Sequence, residues 1–125
     1  MMSHFRECRL SLTSSASSVL LTLAVREIAH RYRAAVTDTV TDYWGNKRRV
    51  LAAVEGLYGV ELTPEGVVVV GDEYNKPVKL EAFRRELERT YAALALNQAL
   101  TAMGYRVQSQ RTETGAIYLY GVKAR

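Results

Sequence analysis

Seven side chains in the first half of the chain have the chemistry needed to bind an anion or a nucleic acid. They are Arg26, His30, Arg33, Trp44, Lys47, Arg48 and Arg49. Arginine and lysine neutralise phosphates, an indole ring stacks on a base, and histidine gains charge as pH falls below neutrality. These residues predict a surface for nucleic acid or an acidic protein. One alternative is that Arg26, His30 and Arg33 form an ordinary solvated helix face. The other is that Trp44 covers the sheet edge and the arginines beside it are solvated.

The charge distribution is typical of a polarised molecule. The net charge is +4, and residues 1–49 hold eight Lys/Arg against four Asp/Glu, whereas residues 50–125 hold nine of each. Five acids and no base lie between Glu55 and Glu73. Such polarity can steer an anionic ligand, a charged protein partner or a second copy of the chain.

Recognisable catalytic and cofactor motifs are missing from the sequence. Cys8 is the single cysteine and there are two histidines, so we expect no disulfide and no conventional metal site. No glycine-rich phosphate loop and no nucleophile beside a base is present. Catalysis would require residues scattered along the chain, such as His30, Asp42, Asp72 and Tyr74. We therefore expect no catalytic residue and no cofactor.

The longest helical pattern covers residues 80–104. In its first half, apolar residues at spacings of three and four form one stripe opposite a charged face. In its second half, Leu96, Leu100 and Met103 lie almost opposite that stripe. They require a cover, which would be the terminal hairpin, the preceding helix or another subunit. The sequence therefore offers Leu96, Leu100 and Met103 as a self-association surface, with a dimer expected.

The remaining elements follow from alternation and turn residues. Residues 5–12 predict a first strand, and the serines after it suit the start of a helix that runs to about Ala35, with Tyr32 in its buried stripe. Residues 37–44 and 48–55 predict a hairpin.

Residues 60–62 and 67–70 predict two further strands around a proline and glycine turn, and residues 105–111 and 116–123 predict a closing hairpin. Four consecutive valines at 67–70 indicate burial on both faces of the sheet. With both helices on one face, the other face would need its own cover, which is a second sign of a partner surface.

This order of elements predicts a single α+β domain over residues 1–125. We expect a sandwich in which two long helices pack on one face of a mainly antiparallel sheet. No apolar run is long enough for a membrane span or a signal peptide. We therefore expect a soluble, cytoplasmic protein that does not bind membranes.

Several short segments are similar to one family. Met2-Ser3-His4-Phe5 at the start, Tyr91 on a helix, and residues 104–107 and 115–119 near the end resemble small conserved proteins of algal plastids and cyanobacteria that begin Met-Ser-His-Phe. The resemblance covers the start and roughly the last half of the chain. It implies a ferredoxin-like α+β fold and no established activity.

Three functions remain open at this point. The first is a non-catalytic binding or adaptor protein that self-associates, motivated by the two-faced helix and the charge asymmetry. The second is a nucleic-acid-binding protein that uses the basic N-terminal half. The third is a small enzyme without a recognisable motif.

Overall fold

The fold was determined as a computed structural model, which describes residues 5–9, 17–72, 77–111 and 117–123. In chain order the elements are β1 (Phe5–Arg9), α1 (Ser18–Arg31), β2 (Val36–Thr41), β3 (Lys47–Val54), β4 (Tyr58–Thr63), β5 (Gly66–Asp72), α2 (Pro77–Ala102), β6 (Tyr105–Arg111) and β7 (Ile117–Lys123).

Five strands form one antiparallel sheet in the order β1-β5-β4-β3-β2. β2 to β5 are joined by short turns, and β1 pairs with β5 so that Phe5 lies opposite Asp72 and Arg9 opposite Val68. The predicted class, α+β with two helices and a mainly antiparallel sheet, is therefore confirmed.

Both helices pack on the same face of this sheet, and the main hydrophobic core lies between them and the sheet. Its buried side chains are Leu21, Ala24, Val25, Ile28, Ala29, Ala52, Val54, Val60, Val67, Val69, Leu80, Phe83 and Leu87. Each large apolar side chain that is fully buried contributes roughly 1.5–3 kcal/mol to stability. The first half of α2 thus packs through the stripe that its spacing predicted.

Different features determine where α1 begins and where it ends. At the start, the Oγ of Ser17 accepts a hydrogen bond from the Leu20 N–H at 3.2 Å, which confirms a serine cap. At the other end, the helix stops at Arg31, earlier than predicted, and Arg33 has a left-handed φ of 54°. Because the chain leaves the helical path there, Tyr32 is exposed instead of buried. The prediction that Tyr32 belongs to the buried stripe was wrong.

The sheet face away from the helices is covered by the chain itself. In β3, residues 50–52 stand opposite a single residue of β2, Asp38, and this irregularity bends the outer part of the β2–β3 hairpin across the sheet. There Val40 and Val50 pack with Val68 and Val70 in a second, smaller core. The valines of β5 on that face are thus buried by the chain itself and need no partner to cover them.

Gly59 in β4 makes this close approach possible. A Cβ at this position would lie 2.8 Å from Cγ2 of Val40 and 2.9 Å from Cγ2 of Val50. Only a residue without a side chain leaves room for both valines. The burial of all residues of β5, on both faces, follows from this arrangement and confirms the prediction for the valine run.

α2 is much longer than α1. Its 26 residues span about 39 Å, whereas the 14 residues of α1 span about 21 Å. Thr90 is the last buried residue of α2. β6 and β7 pair with each other as a separate hairpin that lies against α2, and in the described ranges no strand pairing joins them to the five-stranded sheet.

Among the described residues, neither helix has the combination of length and apolar character that a membrane crossing requires.

Candidate interaction surfaces

The tip of the β2–β3 hairpin is a turn built around Asp42. The Asp42 carboxylate accepts hydrogen bonds from the Trp44 N–H at 2.9 Å, the Asn46 N–H at 2.7 Å and the Asn46 side-chain amide at 3.0 Å. The carboxylate of Asp72, at the end of β5, accepts a hydrogen bond from the Tyr43 N–H. Because both aspartates are buried, the turn is anchored at two points.

This turn presents two aromatic side chains to solvent. Tyr43 is 60% exposed and Trp44 is 59% exposed, and their rings form a T-shaped pair with centroids 5.3 Å apart. β2 ends at Thr41, so that Trp44 lies in the turn and not on the strand. Trp44 therefore presents more than half of its surface to solvent.

The three basic residues after the turn alternate between the sides of β3. Arg48 donates from Nε to Oε1 of Glu61 at 3.0 Å and from a terminal nitrogen to Oε2 at 2.9 Å. Lys47 and Arg49 lie on the opposite side of the strand and are exposed; Arg49 makes only a 4.0 Å contact with Asp38. Arg48 thus contributes to the fold, whereas Lys47 and Arg49 face solvent.

Three residues predicted to bind an anion or nucleic acid lie on or just after α1 and are exposed: Arg26, His30 and Arg33. Arg26 and Leu51 line the same shallow depression of about 290 Å³, and Leu51 follows two residues after Arg49 on β3. His30 and Arg33 are exposed farther along, toward the end of the helix. The structure therefore places Arg26 beside Leu51 of β3 and places His30 and Arg33 toward the C-terminal end of α1.

The distal segment of α2, here residues 96–102 together with Met103 that follows the helix, is exposed except at Leu100. Leu96 is 46% exposed and Met103 is 69% exposed, while Leu100 is partly buried. No charged residue occurs in residues 90–104. Neither α1 nor the terminal hairpin buries Leu96 or Met103, which were two of the possible covers. This leaves an uncharged, largely apolar helical surface in contact with solvent.

A groove that sequence reasoning missed lies between the end of α1, the first half of α2 and the β3–β4 turn. It has a volume of about 380 Å³. Its lining residues are Ile28, Tyr32, Ala34, Val54, Glu55, Leu57, Tyr58, Ala82, Phe83 and Glu86. These residues come from three distant segments, so no local pattern in the sequence marks them. We call this feature the α1–α2 groove.

One side of the α1–α2 groove is held by a polar network. The carboxylate of Glu86 accepts hydrogen bonds from the Arg31 guanidinium and, at 2.7 Å, from the Tyr32 hydroxyl. Arg31 also donates to the hydroxyl of Thr90 at 2.8 Å. The charge of Glu86 is therefore balanced within the fold, and Tyr32 is held over the groove.

The other side of the groove is aromatic and acidic. The rings of Tyr58 and Phe83 stack with centroids 5.8 Å apart, and burial raises the pKa of the Tyr58 phenol above its ordinary value. Glu55 lies at the rim with a left-handed φ of 51°. Its N–H donates to the carbonyl of Ala35 at 2.8 Å, which fixes the turn.

Of the residues considered for catalysis, those that the structure describes lie in two places, His30 on α1 and the two aspartates at the hairpin tip. Asp42 and Asp72 meet at the hairpin tip, where each accepts backbone N–H groups of the turn. His30 is exposed on α1, and Tyr74 lies outside the described residues. Within the described ranges, no group of three or more His, Cys, Asp or Glu could hold a metal ion.

The chain was compared with protein-family models, curated proteins and solved structures, and no match was found.

Proposed function

We propose that this is a non-catalytic binding protein that forms a dimer through the distal segment of α2. The observation that carries the proposal is the exposure of this segment together with the absence of charge from residues 90–104. Exposed helix surfaces normally carry charged residues, and a long uncharged stretch is typical of an interface.

The spacing of the apolar residues favours a second copy of the chain as the partner. Ala93, Leu96, Leu100 and Met103 follow one another at intervals of three, four and three, the pattern of a coiled-coil seam. Alanine lets two helix backbones approach closely, and an uncharged seam needs no oppositely charged partner. Two such helices related by a twofold axis would present the same surface to each other.

Size-exclusion chromatography with light scattering tests this proposal. We expect a dimer for the unmodified protein and a monomer for Leu100→Glu, because a charge in the seam would be buried on pairing. Gln98→Glu is the matched control, since it adds the same charge on the opposite side of the helix and should remain dimeric. A monomeric unmodified protein at micromolar concentration would contradict the proposal, as would a dimer unaffected by Leu100→Glu.

Single-stranded nucleic acid is a second candidate ligand, favoured by the exposed pair Tyr43 and Trp44 beside Lys47 and Arg49. An exposed indole held in a fixed turn can stack on a base, and the two cations can neutralise phosphates. Arg26 extends the same side of the molecule. Neither Arg48, which pairs with Glu61, nor the more distant His30 and Arg33 is needed for this contact.

Fluorescence titration with a single-stranded oligonucleotide at two salt concentrations tests the second candidate. Binding should weaken as salt rises, because phosphate contacts release counterions. Trp44→Ala should weaken binding by about 1–3 kcal/mol, the usual value of one stacked base. Arg49→Ala should reduce the salt dependence. Absence of binding at low salt would exclude this function.

The proposal includes a likeness to the ferredoxin-like sandwich and to the plastid and cyanobacterial proteins, and a cytoplasmic location. The β1–α1–β2 unit, with both helices on one sheet face, supports the likeness in fold only. Three strands separate β1 from β2, and α2 leads into a separate hairpin.

A further inference from the structure

The α1–α2 groove combines an apolar interior with an unbalanced negative charge. Ile28, Val54 and Phe83 are buried at its base, while Tyr32 and Leu57 are exposed at its sides. Its volume of about 380 Å³ lies in the usual range for small-ligand sites. No lysine or arginine occurs among the described residues that line it.

The two carboxylates that line the groove, Glu86 and Glu55, differ in whether another side chain pairs with them. Glu86 is engaged by Arg31 and Tyr32, so that it adds little net potential. Glu55 has neither a side-chain hydrogen bond nor an ion pair within the part of the chain that the structure describes. Of the two carboxylates that line the groove, Glu55 is therefore the one without a described partner, and three aromatic rings, whose faces also attract cations, line the same groove.

The backbone conformation of Glu55 is unusual for a glutamate. Glu55 has a left-handed φ of 51°, a conformation that favours glycine or asparagine over a residue with a long side chain. Gly56, with φ 70°, follows directly. A glutamate in this conformation costs stability, and residues held in such conformations cluster at functional sites.

From these features we propose that the α1–α2 groove binds a small organic cation, an ammonium group carried on a flat apolar body, with Glu55 as its counter-ion. The apolar body would pack against Phe83 and Leu57, and the ammonium would lie between the Glu55 carboxylate and the ring faces of Tyr32 and Tyr58. This site does not depend on dimer formation by α2.

The experiment is a chemical-shift titration of the ¹⁵N-labelled full chain with phenethylammonium. Phenethyl alcohol serves as the neutral analogue and phenylpropionate as the anionic one. We expect phenethylammonium to shift the amides of Gly56 and Leu57 and to bind about tenfold more tightly than either analogue, which corresponds to roughly 1.4 kcal/mol. Equal affinity for the cation and the alcohol, or no shifts with phenethylammonium, would overturn the proposal.

Two variants distinguish a loss of ligand binding from a loss of folding stability. Glu55→Asn should weaken phenethylammonium binding about tenfold and leave stability in urea unchanged or higher, because asparagine tolerates the left-handed conformation. Glu65→Asn, in the β4–β5 turn outside the groove, is the matched control and should bind normally. Full binding by Glu55→Asn would overturn the assignment of Glu55.

Two further variants test the aromatic wall and the independence of the site. Tyr32→Phe keeps the ring and removes the hydroxyl that donates to Glu86, so it should retain binding, whereas Tyr32→Ala should lose most of it. Leu100→Glu should bind phenethylammonium like the unmodified protein, whether or not it dissociates a dimer. Retained binding by Tyr32→Ala would contradict the role of the ring.

Discussion

The guanidinium of Arg48 and the carboxylate of Glu61 form a two-point ion pair across the second face of the sheet, with N–O distances of 3.0 and 2.9 Å. The pair joins β3, where the hairpin bends over, to β4. Because both side chains are partly shielded from water, the pair is stronger than a typical surface ion pair.

Removal of this pair should destabilise the bent hairpin. We expect Arg48→Ala to lower the free energy of unfolding by about 1–2 kcal/mol, since Glu61 would lose both hydrogen bonds. Urea denaturation measures the change. Lys47→Ala is the matched control, because Lys47 is the exposed neighbour and its loss should cost less than about 0.5 kcal/mol. Equal effects of the two variants would contradict the structural role of Arg48.

The contact of the hairpin with Gly59 predicts a steric effect. Gly59→Ala should cost about 1–3 kcal/mol, because the added methyl group would overlap Val40 and Val50. In a Val40→Ala background the same change should cost less, since one of the two close neighbours is shortened. Chemical denaturation of the four proteins as a double-mutant cycle measures this coupling. Additive losses of stability in the two single variants would show that Val40 does not limit the space at Gly59.

The turn at the hairpin tip should depend on Asp42. Asp42→Ala removes three hydrogen bonds within the turn, and we expect a loss of about 2–3 kcal/mol and lower fluorescence anisotropy of Trp44, the only tryptophan. Asn46→Ala removes one of the three bonds and should have a smaller effect on both quantities. Unchanged anisotropy in Asp42→Ala would mean that the turn does not hold Trp44.

Acid should weaken α2 through Glu81. The hydrogen bond from Arg84 lowers the pKa of Glu81 below its ordinary value of 4.5, despite an opposing effect of desolvation. Because the pKa is lower in the folded than in the unfolded state, the stabilisation is present above 4.5 and is lost as pH falls through the folded value. Glu81→Gln should therefore be less stable than the unmodified protein at neutral pH and equally stable in strong acid.

Urea denaturation across the pH range measures this difference. Glu65→Gln, an exposed acid of the β4–β5 turn without an ion pair in the described part of the chain, should follow the unmodified protein at every pH. A constant difference between Glu81→Gln and the unmodified protein would exclude the proposed linkage.

Elements with a strong local signal were predictable from the sequence. The valine run of β5 is buried on both faces, and Ser17 caps α1, because each depends on neighbouring residues. The end of α1 was placed too late because Tyr32 fits the helical period, while the left-handed Arg33 that ends the helix has no clear sequence signal.

The packing of the bent β2–β3 hairpin over the sheet could not be predicted for a different reason. It results from Val40 and Val50 packing over Gly59, residues that are separated along the chain and meet only in the folded state. The α1–α2 groove has the same origin, because helix ends and a turn from three segments form it. The exposed seam of α2 was visible in the sequence, since spacing alone places Leu96, Leu100 and Met103 on one side.

The strand order has a consequence for folding. β2, β3, β4 and β5 each pair with a strand that is next in sequence, whereas β1 pairs with β5 across some 60 residues of chain. Local hairpins form faster than long-range pairings, because less chain entropy is lost when their ends meet. We therefore expect the four-stranded meander to form first and β1 to be added last, an order that pulse-labelled hydrogen exchange can resolve.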